Sequence, residues 1–183
     1  DLSAQMVRLR KGVDYVAKEW DVKPVFMRYF MTDATNQAEY IPEEPDCAVS
    51  VIQQPPLNGY KVVLWVYFVR CDSIYNVKEK NAIVGSTTVM EHNGYQHLYQ
   101  WGQILPVGDS YTQTKQILES YEEELSLFNA TLEENCIRTW FFVRDVDTQY
   151  AGMVKARKEN FIEQGLTENT HYIASTGIGG LPT

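Results

Sequence analysis

The sequence is short of features that announce a chemistry by themselves. Its three cysteines, Cys47, Cys71 and Cys136, are odd in number and far apart. Neither a disulfide framework nor a CxxC metal site is signalled, and a reducing, cytoplasmic compartment fits. The histidines His92, His97 and His171 stand at no ligand spacing from one another or from carboxylates, so no metal and no cofactor is expected. Positive charge is scarce: 16 Lys and Arg face 24 Asp and Glu, a formal charge of -8 that argues against nucleic acid as the main partner. Apolar runs such as Val62 to Val69 are too short to span a bilayer, and the first residues lack a basic stretch followed by an apolar one, so a soluble protein without a membrane partner is expected. No Gly-x-Ser-x-Gly elbow and no Ser/His/Asp grouping supports nucleophilic hydrolysis.

What is present is enough apolar material for a core, 44% of 183 residues, in one ordinary domain or two small ones. Leu2, Met6, Leu9, Val13, Val16 and Trp20 step by three and four, which predicts an opening helix that ends near Asp21 to Pro24. Val25 to Met31 reads as a strand. Cys47 to Ile52 and Lys61 to Arg70, on either side of Pro55-Pro56 and Asn58-Gly59, read as a hairpin. The polar stretch 72–81 reads as a linker. After it, Ala82 to Val89 and Tyr95 to Leu105 predict a second hairpin around Asn93-Gly94. A helix over 111–128, a strand over 136–144, a helix through Phe161 and a short strand over 172–178 complete the order.

The two halves are related: a helix, a strand and further strands follow one another in both. On this reading 1–71 is a partial module of helix, strand and hairpin, 72–81 is the linker, and 82–183 is a module without its closing strand. Either the chain is cut at both ends, or the leading half completes the sheet of the trailing half.

Leu98-Tyr-Gln-Trp-Gly102-Gln103-Ile104, an amphipathic helix, Cys136-Ile-Arg-Thr-Trp-Phe-Phe-Val-Arg144-Asp145-Val146-Asp147 and a second helix resemble the RidA/YjgF family in order and signature over roughly residues 85–178. Pro45 to Val51, Pro55-Pro56 and Lys61 to Val69 resemble that family's paired closing strands, and Ala174-Ser175-Thr176-Gly177-Ile178-Gly179 is similar to the tandem chorismatase branch. The resemblance implies an α+β, chorismate-mutase-like fold of two related modules with helices packed on one sheet face. It also implies a homotrimer or pseudo-trimer, a small carboxylate bound in an inter-module or inter-subunit cleft, and either imine deamination or chorismatase-like hydrolysis of that ligand. The arginine with which the deaminases grip a carboxylate near the start of the penultimate strand is missing from both Pro45 to Cys47 and Ile173 to Thr176. A non-catalytic binding or assembly module is therefore the alternative. The endoribonuclease label carried by some members gains nothing from this acidic chain.

Six residues are candidate ligand contacts. Arg157 lies on an otherwise apolar stripe of its helix, as a carboxylate clamp or as a snorkelling side chain. Arg138 lies on the opposite strand face from Ile137, Thr139 and Phe141. Tyr95 and His97 share a strand face with Tyr99 and Trp101, either a ligand wall or an aromatic interface. Thr176 and Gly177 belong to a glycine-rich run that either offers backbone N–H groups to an anion or makes a plain turn.

Overall fold

The computed structural model describes residues 1–42, 46–77, 84–102 and 108–182. The chain is a mixed α+β protein that divides into two compact units, Asp1–Trp101 and Gly102–Pro182. The expected boundary at 72–81 falls elsewhere because part of that stretch is built into a sheet. Residues 78–81, together with Pro45, Ala82, Ile83 and 103–105 of the expected elements, lie outside the described residues.

In the first unit, helix α1 (Leu2–Trp20) starts where the Asp1 carboxylate accepts Ala4 N–H at 2.8 Å and stops at Asp21 in the left-handed region, φ 51°. It lies over a sheet of β1 (Lys23–Met31), β2 (Ala48–Gln53) and β3 (Val62–Val69) in the order β3-β1-β2. Alternation sends Met27, Tyr29 and Met31 of β1 toward the helix, where Tyr29, Met31, Val49, Val62, Ala34 and Met6 form the core. Strands β2 and β3 do not pair as the expected hairpin. Strand β1 stands between them, parallel to β2 and antiparallel to β3. The run from Val25 to Met31 is buried on both faces, as a central strand must be, whereas half of β3 faces outward. The parallel pair needs a crossover, and the connection from β1 to β2 carries a 3₁₀ turn at Ala38–Tyr40; Arg10 Nη2 donates to Tyr40 O at 2.8 Å and ties that turn to α1.

The same unit holds a second sheet, β4 (Ser73–Val77), β5 (Val84–His92) and β6 (Tyr95–Gly102), in that order. Strand β4 occupies much of the expected linker. Its Ser73 and Tyr75 hydroxyls donate to the Glu91 carboxylate at 2.9 and 3.3 Å, cross-strand polar pairs to which hydrophobic periodicity is blind. The β5–β6 hairpin is as expected: Asn93 and Gly94 both have positive φ, 51° and 79°, as a two-residue type I′ turn requires. The sheets meet where Ala48 N donates to Thr88 Oγ1 at 2.6 Å and where the Tyr67 and Tyr99 rings lie 5.6 Å apart.

The second unit runs α2 (Ser110–Leu127), the single turn α3 (Leu132–Asn135), β7 (Arg138–Val143), α4 (Val146–Glu163) and β8 (Ala174–Gly179). The Asp109 and Thr131 side chains cap α2 and α3. Strands β7 and β8 are parallel, with α4 as their crossover. Helix, strand, crossover and parallel strand thus occur in both units. The glycine run over 177–180 is not a turn: 174–179 is a strand, and neither Gly177 nor Gly179 has positive φ.

Two helical glycines make opposite predictions. A Cβ at Gly152 of α4 would meet Ser110 Oγ and, at 3.0 Å, Tyr111 N, whereas one at Gly12 of α1 meets nothing within 4 Å. Gly12→Ala is expected to stabilise by about 0.5–1 kcal/mol through helix propensity. Gly152→Ala is expected to destabilise by about 1–3 kcal/mol, because backbone has to give way. Urea melts of the two variants check both signs.

Candidate functional site

Arginine reaches the start of β8 from two directions. Register sets Arg138 against Ala174, Thr139 against Ser175, Trp140 against Thr176 and Phe141 against Gly177. Side chains alternate across a strand, so Arg138, Trp140 and Thr176 share one face of the ribbon and Thr139, Phe141, Ser175 and Gly177 share the other. On the first face Arg138 Nη2 donates to Thr176 Oγ1 at 3.1 Å, and its guanidinium carbon lies 4.0 Å from the centre of the Trp140 ring. On the second face Arg157 of α4 donates from Nη1 to Ser175 Oγ at 3.2 Å and lies 5.9 Å over Phe141, and Thr139 Oγ1 donates to Ser175 Oγ at 2.9 Å.

Three of the expected ligand residues, Arg138, Thr176 and Arg157, therefore gather at one strand end. The two guanidiniums stand on opposite faces and cannot act as one clamp. Among the described residues neither forms an ion pair with a carboxylate. Arg138 is exposed and Arg157 half-buried. Arg138 sits over the Trp140 ring with one nitrogen anchored, which leaves the rest of its planar donor fork for an anion.

Gly177 has a different role from the expected one. A Cβ there would lie 2.8 Å from Tyr150 Cε2 and 2.9 Å from Met153 Cε, so its lack of a side chain lets α4 approach the sheet. Its placement serves packing, not anion binding. Tyr95 and His97 belong to β6 of the first unit. Tyr95 is 72% exposed beside the hairpin turn, and His97 is half-buried, on the strand face that carries Tyr99. Burial first, then Tyr67, pushes the Tyr99 hydroxyl up to about 12.

Sequence reasoning missed Arg28. It is 8% exposed on β1, on the face away from α1, and its guanidinium lies 5.0 Å from the Phe26 ring centre and 5.8 Å from that of Trp65. Burial lowers its pKa to about 10, so it stays charged at neutral pH. The signal was available as a lone charge inside the apolar run Val25 to Met31. Cysteine chemistry finds no support at Cys47, which is fully buried; burial first, then Asp46, pushes its thiol up to about 12. Among the described residues, no group of three or more His, Cys, Asp and Glu is placed to hold a metal, and no helix is long and apolar enough to cross a membrane.

The two arginines should separate in stability. Arg157→Ala loses a half-buried hydrogen bond and stem packing and is expected to cost about 1–2 kcal/mol, whereas Arg138→Ala at an exposed site is expected to cost about 0.5 kcal/mol. Denaturant midpoints of the two single variants provide the comparison. The chain matches no family model, no curated protein and no solved structure.

Proposed function

We propose that the protein is a RidA/YjgF-superfamily member that binds a small carboxylated metabolite, with Arg138 as the carboxylate receptor. The observation that carries this reading is the Arg138 guanidinium placed over the Trp140 ring and bonded to Thr176, with no carboxylate paired to it among the described residues. A guanidinium in fixed orientation matches the two oxygens of a carboxylate, and stacking reduces the rotamer freedom lost on binding. The resemblance implies an arginine at the start of the penultimate strand, where Ile173 to Thr176 has none. Arg138, from the neighbouring strand, brings a guanidinium to Thr176 instead.

Binding is favoured over catalysis. Among the described residues no carboxylate or imidazole is hydrogen-bonded to the side chains of Arg138, Arg157, Ser175 or Thr176, and the Cys136 thiol, which meets the backbone N–H of Arg138, is pushed up by burial, so the site has a receptor for charge and no ready partner to move a proton. A trimeric or pseudo-trimeric assembly belongs to the same proposal, and light scattering reads it.

A panel of small keto and enol-pyruvyl acids, screened by thermal shift and titration calorimetry, tests the reading. Solvent exposure of the guanidinium points to a dissociation constant on the order of 1 mM, and a ligand at 100 times its dissociation constant stabilises by roughly 2.7 kcal/mol. Arg138→Lys keeps the charge, loses the planar fork and is expected to weaken binding about tenfold. Arg157→Lys should leave affinity unchanged. Loss confined to the Arg157 variant would move the site to the helix-covered face, and a panel without binders would remove the proposal.

A further inference from the structure

Helices α2 and α4 are joined by a polar contact that is half satisfied. Asn160 of α4 is 6% exposed, and its Nδ2 donates to Glu122 Oε1 of α2 at 2.6 Å. Its Oδ1 is buried and has no donor among the described residues. A carboxamide presents a donor and an acceptor side by side. An ionised carboxylate only accepts, so it satisfies one of the two; a protonated carboxyl group has both an acceptor and an O–H and satisfies both. The terminal torsion of a glutamate is soft enough to bring its second oxygen opposite Oδ1.

We propose that Glu122 and Asn160 form a proton-sensitive clamp between α2 and α4, joined by two hydrogen bonds when Glu122 is protonated and by one when it is ionised. The charges around it favour the proton. Glu119 on α2 and Glu163 on α4 repel the Glu122 carboxylate, and the lysines of these helices that form ion pairs do so with other acids: Lys115 lies 3.7 Å from Glu119 and Lys155 lies 4.0 Å from Glu159. Tyr111 of α2 donates its hydroxyl to Glu159 and not to Glu122. Burial, with Glu119 and Glu163 adding to it, raises the Glu122 carboxyl above its ordinary value against the opposing pull of the Asn160 bond. A pKa higher in the fold than in the unfolded chain means that the clamp's stabilisation is fully present below the unfolded carboxyl pKa and is lost as pH rises through the folded one. This sign is opposite to that of a salt-bridged carboxylate. Asn160 lies three residues beyond Arg157, so the clamp also bears on how α4 seats the guanidinium bonded to Ser175.

Glu122→Gln supplies permanently the donor that protonation supplies reversibly. Thermal midpoints of the full chain from about pH 5 to about pH 8 are compared for the native sequence, Glu122→Gln, Glu119→Gln, Asn160→Ala and Glu122→Gln combined with Asn160→Ala. The expected result is a midpoint raised by about 2–4 °C in Glu122→Gln at the alkaline end, a gain that shrinks toward the acidic end. The gain should be absent from the Asn160→Ala background. A gain that Glu119→Gln reproduces or that survives Asn160→Ala is charge relief alone and overturns the clamp, and a gain that does not change with pH does not depend on the Glu122 proton and overturns it as well. Carboxyl NMR titration of the native chain gives an answer independent of any variant: Glu122 should titrate above the ordinary glutamate range, and a titration within that range overturns the proposal.

Discussion

Parallel strands cannot be joined by a tight turn, and that one constraint organises both units. A parallel pair needs a crossover long enough to return the chain to the same end of the sheet. In the second unit the crossover is α4, and the contacts on the helix-covered face at the start of β8 follow from where α4 is seated: Arg157 against Ser175, and Tyr150 and Met153 against the bare backbone of Gly177. In the first unit the connection from β1 to β2 carries the 3₁₀ turn that Arg10 ties to α1. The crossover leaves β1 with β2 on one edge and β3 on the other.

Strand alternation then divides the chemistry of the ribbon. Six residues of β7 and six of β8 carry two guanidinium contacts on opposite faces because 138 and 139, like 175 and 176, differ by one position. The face under α4 is closed by packing, and its hydroxyls and Arg157 satisfy one another there. The other face keeps a guanidinium that is oriented and, among the described residues, not ion-paired, the condition a receptor for a planar anion requires. The buried Arg28 of the first unit shows the contrasting use of the same residue type. Set over Phe26 and Trp65, it holds its charge against desolvation inside the sheet.

Polar groups inside helix contacts carry a different kind of information. Glu122 and Asn160 fall on the facing sides of α2 and α4, and the mismatch between an acceptor-only carboxylate and a two-sided carboxamide makes their contact depend on a proton. Elsewhere between these helices contact is tight, as at Gly152, where the helix backbone meets the start of α2.

The sequence by itself determined the elements. The three-and-four spacing from Leu2 to Trp20, the runs at 25–31 and 62–69, and Asn93-Gly94 between apolar stretches are local patterns, and local patterns are all that helix period, strand alternation and turn chemistry need. It also determined on which strand face Arg138 lies, because that is a matter of parity. Tertiary structure alone decided the partners. Alternation says which face of a strand is buried and not which strand lies beside it, so the pairing of β2 with β1 in place of β3, and the recruitment of Ser73 to Val77 into a sheet, were not legible. The same limit applied to the site. That Thr176 meets Arg138, Ser175 meets Arg157 and Asn160 meets Glu122 depends on residues 18 to 38 positions apart, brought together by a crossover whose seating is set by packing over the whole unit.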